Sequence, residues 1–459
     1  MQQGDYSSPS SPPNRNARLQ KRRIIMMLRM AILVMSVLIV GLSIFLIGRS
    51  IYEANTNGEI RTTVSTSSGS PDGSDPSDAT NVTVQTTTAT PSPTAPPAET
   101  EILQQSEAVE SYFGPLPVVE SKAELKRSEI HAIYIGAAAY LDANIELAKN
   151  SEINAFVIDL KESNGVYFKT SNALAAEIGA KKDYYDIATI IQKCHENDIK
   201  VIGRIVCFKD PILAENKPDF SISDASGNSL YFTNEGSKAF ADPYDTRTWD
   251  YNIDLALEAV EAGIDEIQFD YVRFPTGNTT TGEKTYFGDP ETTPTKAEVI
   301  NRFLQTARIR IQDEHGVPLS ADVFGIILSS ASDGASLGQD WATVGLTGID
   351  SVCPMIYPSH YALNTSLNGK NFDKPDFYPY DVVFNSLTMG KEAAAATGYA
   401  HVRSYIQAFT ASYIGEGNYI SYGYYEINQQ IKALEDVGYS EWILWNPAAT
   451  YPEGKYDGA

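Results

Sequence analysis

The sequence predicts a (β/α)8 barrel with enlarged loops, and three observations predict it. Eight short runs rich in β-branched and aromatic residues follow one another from about Tyr112 onward. Stretches with apolar residues at helical spacing separate them, which implies a parallel sheet. The eighth run stands near the C-terminus, so eight units complete a barrel. The domain, 111–459, is roughly 350 residues long against a typical barrel of about 250, so some loops must be enlarged.

In chain order the strand candidates are HAIYIG from His131, AFVIDLK from Ala155, KVIGRIVCF from Lys200 and DEIQFDYV from Asp265. PLSADVFG from Pro318, IDSVCPMIYP from Ile349, VRSYIQAF from Val402 and EWILWNP from Glu441 complete the set. Two helix candidates, WDYNIDLALEAVEAG and YEINQQIKALEDVG, end in glycine, the usual stop. The third loop (Lys209 to Tyr244), the fourth (Pro275 to Lys296) and the sixth (Pro358 to Tyr380) are the long ones. A doubly wound open sheet is the alternative architecture. The turn after the first run, YIGAAAY, lacks GxGxxG spacing, so a nucleotide site has little support.

Ahead of the barrel the composition changes twice. Residues 1–29 read as a cytoplasmic tail that runs from a polar start with Pro and Ser to a basic cluster of Arg15, Arg18, Lys21, Arg22, Arg23 and Arg29. Met30 to Gly48 comes next, without a charge. As a helix it reaches roughly 28 Å, close to the hydrocarbon core of a bilayer. It is longer than the apolar part of a secretory signal, so the expectation is an uncleaved transmembrane helix over 30–48. The preceding positive charge keeps the N-terminus cytoplasmic and places the barrel outside, in a single-pass protein of the cell membrane. Residues 49–110 read as a linker, whose stretch Thr62 to Thr100 is rich in Ser, Thr and Pro and too poor in large apolar side chains to build a core.

The formal net charge is −23, and the first fifty residues are basic, so the remainder is more acidic still. Such a body is a poor partner for nucleic acid or anionic lipid. Cys194, Cys207 and Cys353 are odd in number and unpaired in spacing, which gives neither a disulfide framework nor a zinc signature. No metal or organic cofactor is expected.

In a barrel the reactive face is where strands run into their helices. Polar residues gather there: Asp159, Lys161, Arg204, Gln268, Asp270, Arg273, Asp322, Tyr357, His360, Gln407, Trp445 and Asn446. Period-two alternation sets Gln268 and Asp270 against Ile267, Phe269 and Tyr271. The apolar set must face the helices, so Asp270 points into the barrel, and Asp322 does so by the same reasoning. Two inward carboxylates on neighbouring strands suit glycosidic bond cleavage, where one acid protonates the leaving oxygen and a second carboxylate attacks the sugar or activates water. The bland reading of Asp270 is an ion pair with Arg273 or Arg204. Lys161 shares the facing of Asp159 and neutralises it on this reading. Trp445 is placed to stack on a sugar.

DEIQFDYVRFP, SADVFG and PMIYPSHY together resemble a bacterial family of glycoside-hydrolase-type domains, first described only as a domain of unknown function and often found on membrane-anchored or exported proteins. The resemblance covers roughly Ile130 to Pro452. It is similar in turn to (β/α)8 glycosidases with an aspartate nucleophile at the end of strand four, a role that would fall on Asp270. An acid/base on the next strand, as in alpha-amylase-like enzymes, would fall on Asp322. Those enzymes carry arginine two residues before the nucleophile and glutamate on strand five, where this chain has Gln268 and an aspartate. The expectation is a membrane-anchored, extracytoplasmic glycoside hydrolase acting on a polysaccharide or oligosaccharide. Asp270 and Asp322 would be catalytic, with Asp159, Lys161, Arg204, Arg273, Tyr357, His360, Gln407, Trp445 and Asn446 around the sugar. The rival is a non-catalytic barrel that binds wall or capsule glycan as a scaffold. A metal-dependent deacetylase is a weak third, since few of the five histidines lie at strand ends.

Overall fold

The computed structural model describes residues 103–458. The expected cytoplasmic tail, the membrane helix and most of the linker lie outside the described residues. Among the described residues no helix is long and apolar enough to cross a membrane.

Eight parallel strands form a closed barrel. They are β1 (His131–Gly136), β2 (Ala155–Glu162), β3 (Lys200–Val206), β4 (Glu266–Asp270), β5 (Leu319–Phe324), β6 (Ser351–Ile356), β7 (His401–Val402 and Ser404–Gln407) and β8 (Trp442–Trp445). Each pairs with the next, and β8 pairs back onto β1, His131 opposite Trp442, which closes the ring and excludes the open sheet. The helices that follow β3 and β7 fit their sequence signals. Thr246–Glu261 starts at Asp245, whose side chain accepts from the Arg247 N–H, and Tyr424–Val437 ends at Gly438 in the left-handed conformation.

Side chains alternate as the pleat demands. Phe156, Ile158, Ile205, Ile267, Phe269, Ala321 and Val323 face the helices and join the large outer core. Ala132, Val157, Ile202, Cys353, Tyr405 and Ile443 fill the barrel itself. The N-terminal end of the barrel is plugged by charge. Arg403 donates to Glu266 at 2.7 Å and to the Ser351 hydroxyl, and Arg127, just before β1, caps the plug from below on Asp350 and Glu441. A buried arginine held by several acceptors avoids the penalty of an unpaired one.

Three local departures matter for the site. β2 bulges at Leu160: Asp159 is opposite Arg204, yet Lys161 is opposite Ile205. One extra residue reverses the facing of the residues after it, so Lys161 turns to the helix side. Gly203 accommodates this, because a Cβ there would lie 2.5 Å from Leu160 Cδ1. β4 ends at Asp270, earlier than its apolar run, because Tyr271 takes a left-handed conformation with φ of 52°. The second loop extends the sheet with strands Gly165–Phe168 and Lys181–Tyr185, for which the sequence carries no clear signal. The long third and sixth loops carry small hairpins, Tyr231–Phe232 with Lys238–Ala239 and Thr365–Leu367 with Lys370–Phe372.

The folded body starts before 111, where the domain boundary was expected. Helix Glu107–Phe113 straddles that position, Phe113 packs 4.8 Å from Trp249, and the preceding Leu103 donates to the Leu346 carbonyl.

Candidate active site

Arg204 stands at the centre of the C-terminal mouth, brought inward by the β3 pleat. Its Nε and Nη2 both donate to Asp270 Oδ2, at 3.0 and 2.6 Å. Its Nη1 donates to Asp159 Oδ1 and Glu162 Oε1, each at 2.6 Å. One guanidinium therefore joins β2, β3 and β4 through three carboxylates. The Tyr271 N–H closes on Asp270 Oδ1 at 2.5 Å. Both oxygens of Asp270 thus accept from donors with a cation alongside, surroundings that suit a carboxylate. The ion pair with Arg204 that the sequence allowed is present, and the one with Arg273 is not.

Asp322 has the opposite surroundings. It is 1% exposed and its Oδ1 finds no hydrogen-bond partner among the described residues. Burial, reinforced by the nearby charge of Asp270, pushes its carboxyl well above the usual range. An Asp322 carboxyl pushed toward its protonated form beside an Asp270 clamped by donors is the contrast of surroundings that acid–base chemistry on two carboxyls requires. Asp159 lies between these extremes. Burial lifts its carboxyl to about 6 against the pull of Arg204, and the Tyr134 hydroxyl donates to its Oδ2 at 2.5 Å.

Beneath this layer, Gln268 accepts from the Tyr405 hydroxyl at 2.6 Å and faces Ser320 and Cys353. It forms the floor of the mouth. Beside it rises an aromatic wall. Trp445 from β8 stacks on Tyr357 at 5.5 Å, meets Phe409 edge-on at 5.2 Å and leans toward Tyr134 at 6.3 Å. Gly136, at φ of 56°, ends β1 beside this group; a Cβ there would stand 3.4 Å from the Tyr134 hydroxyl.

The structure thus brings together Asp159, Arg204, Asp270, Asp322, Tyr357 and Trp445. His360 lies exposed at the rim, edge-on to Tyr357 at 4.8 Å. Four other predicted residues are turned to structural contacts. Lys161 does not neutralise Asp159: the bulge sends it to Asp210, at 2.8 Å, and to Asn252. Arg273 grips Glu235 at 2.8 Å and its neighbour's carbonyl, because the left-handed turn at Tyr271 breaks the strand periodicity between it and Asp270. Gln407 is fully buried and ties Ser359 to Asp376. Asn446 spends its amide on the carbonyls of Ala408 and Thr450.

Sequence reasoning missed Tyr134, Glu162 and Tyr405 as members of the mouth. Tyr134 was legible, since it shares the inward face of Ala132 on β1. Glu162 was not, since its facing depends on the bulge.

A family model described as "Putative glycosyl hydrolase domain" matches residues 130–451. No curated protein matches the chain. Among solved structures, a hypothetical protein from Ruminiclostridium thermocellum is 38% identical, with 42% of this chain and 97% of that one covered and a TM-score of 0.37. The glycoside hydrolase domain of PgaB (BpsB) from Bordetella bronchiseptica is 10% identical, covering 70% and 95% at a TM-score of 0.47. The catalytic domain of a beta-amylase from Paenibacillus polymyxa is 13% identical, covering 73% and 97% at 0.44. The matched span takes in all eight strands and every residue of the mouth, and on that match the chain belongs to the family of putative glycosyl hydrolase domains.

Proposed function

We propose that this chain is a membrane-anchored, extracytoplasmic glycoside hydrolase that cleaves a polysaccharide with two carboxyl groups, Asp270 and Asp322. The observation that carries the reading is the contrast between them. Asp270 is clamped by Arg204 and a backbone N–H, while Asp322 is buried on the next strand with an unpartnered oxygen. Asp322, holding a proton, donates it to the departing glycosidic oxygen. Asp270, charged, attacks the anomeric carbon or takes the proton of the attacking water. Arg204 keeps Asp270 in place, while Trp445, backed by the buried Tyr357, offers a ring face to the sugar. The membrane tether rests on the uncharged run Met30–Gly48 behind a basic cluster.

The test is cleavage of a panel of soluble polysaccharides and aryl glycosides by the full chain. Asp270→Asn should abolish cleavage of every substrate the parent cleaves. Asp322→Asn should lose about 10²–10⁴-fold on polysaccharide and much less on aryl glycosides, whose leaving groups need little protonation. Full cleavage by Asp270→Asn would leave Asp270 as a strut for Arg204, and cleavage of no substrate by the parent would favour the glycan-binding scaffold.

A further inference from the structure

The strand pair added to the barrel by the second loop carries two tyrosines that the proposed chemistry does not use. Gly165–Phe168 runs antiparallel to the end of β2, with Lys161 opposite Val166 and Glu162 opposite Gly165. Alternation then puts Tyr167 on the face of Gly165 and Glu162, the face that enters the mouth. Val166 and Phe168 are buried on the other face. Lys181–Tyr185 lies outside it as the last strand of the sheet. Its Tyr184 packs against Tyr167 with ring centroids 5.0 Å apart and is still 62% exposed. The next residue, Tyr185, anchors this edge to the site by donating its hydroxyl to the Asp159 carbonyl.

Two further facts bear on the purpose of this edge. Asp183 holds a left-handed conformation at φ of 49°, a local cost for a residue with a side chain. The same short strand thus sends Tyr185 inward to Asp159 while leaving a large ring, Tyr184, open to solvent. Two groups of rings flank the carboxylates of the site. Phe409, Trp445 and Tyr134 lie on the side of Asp159, and Tyr167 and Tyr184 lie on the strands paired beside Glu162.

We infer that Tyr167 and Tyr184 form a distal subsite that holds uncharged pyranose units of the same polysaccharide several residues from the bond being cleaved. This rests on the glycosidase reading of the mouth. A pyranose presents a flat C–H face and a hydroxyl rim, which suits an exposed phenol ring with a polar tip. A chain reaching the mouth from this edge passes Glu162 and Asp159, so a uronic acid polymer is repelled. Binding energy gathered at a remote point on a long substrate helps hold the scissile bond in place, and a short substrate cannot gather it.

Tyr184 is exposed and makes no contact with Arg204 or the paired carboxylates, so replacing it leaves the catalytic layer intact. The experiment uses the full chain in mild detergent and four neutral probes: soluble starch, hydroxyethylcellulose, galactomannan and arabinoxylan. In the Asp270→Asn background, retardation in native gels containing each polymer reads binding without cleavage. Tyr184→Ala should weaken binding of the retained polymer about ten-fold, and Tyr184→Phe should bind like the background. In the otherwise unaltered chain, Tyr184→Ala should lower kcat/KM on that polymer about ten-fold and on an aryl glycoside less than about two-fold. Equal polymer binding by Tyr184→Ala, an equal loss on the aryl glycoside, or retardation by none of the four probes would overturn the subsite. Cleavage of no polymer and no aryl glycoside by the otherwise unaltered chain would overturn the glycosidase reading alone, since the gel comparison reads binding and not cleavage.

Discussion

Asp322 is the residue whose chemistry can be tested without knowing the substrate. Its carboxyl is raised by burial and by Asp270, so the folded chain holds a proton that the unfolded chain releases near pH 4. The stability this gives is complete below that pH and is lost as pH rises toward the folded value, by at most about 1.4 kcal/mol per pH unit. Asp322→Asn removes the titration. Its melting temperature should therefore match the parent near pH 4 and exceed it by a growing margin as pH rises. A constant difference across pH 4–8 would show that Asp322 is not held protonated. Asp270→Asn should behave otherwise. Breaking one side of a buried pair costs about 3–5 kcal/mol when the partner is stranded. Here Arg204 keeps Asp159 and Glu162, so the melting temperature should stay close to that of the parent. A fall of ten degrees or more would mean that the three carboxylates do not substitute for one another.

At the scale of the element, the exit from β4 depends on its neighbour loop. Glu235, in the third loop, accepts from Arg273 and from both the N–H and hydroxyl of Thr276, and pairs with Lys209 at 3.0 Å. Burial opposes its charge, but Arg273 and Lys209 overcome that and hold the carboxyl at about 2. Lys209 and Arg273 also lie over the Tyr271 ring, at 4.8 and 5.0 Å, so the same group steadies the residue that follows Asp270. A depressed carboxyl stabilises the fold above its unfolded value and loses that contribution as pH falls through the folded one. Glu235→Gln should cost about 3 kcal/mol at neutral pH, read by urea unfolding, and the deficit should shrink between pH 4.5 and 2. A deficit independent of pH would assign the loss to packing. The bulge at Leu160 is the other decisive element. It places Glu162 in the mouth and removes Lys161 from it, and so leaves Arg204 as the cation shared by three carboxylates.

For the molecule as a whole, the segment before β1 is part of the barrel. Arg302 donates to Gln105 and to the Gly114 carbonyl, Gln305 donates to the Leu103 carbonyl, and Tyr112 and Phe113 cover Tyr244 and Trp249. A chain beginning at Ser111 keeps Tyr112, Phe113 and Gly114 but loses Gln105 and Leu103, and so takes partners from the buried Arg302 and Gln305. It should melt about 5 °C or more below a chain beginning at Leu103. Equal melting temperatures would return residues 103–110 to the linker.

What the sequence determined by itself was whatever depends on local periodicity. Eight apolar runs alternating with helical stretches fix a parallel sheet, and the pleat alone turned Asp159, Arg204, Asp270 and Asp322 inward. Closure of the ring came from the number of units. The sequence could not decide facings beyond a break in period. Lys161 lies past a bulge and points elsewhere than alternation predicts, and Arg273 lies past a left-handed residue, where alternation no longer applies. It also could not choose among ion-pair partners. Arg204 meets Asp270 across 66 positions and Arg273 meets Glu235 across 38, while the partner nearest in sequence, three positions from Asp270, goes unused. Charges pair with whatever the closed barrel sets within reach in a dry interior, and that distance exists only once the strands are side by side.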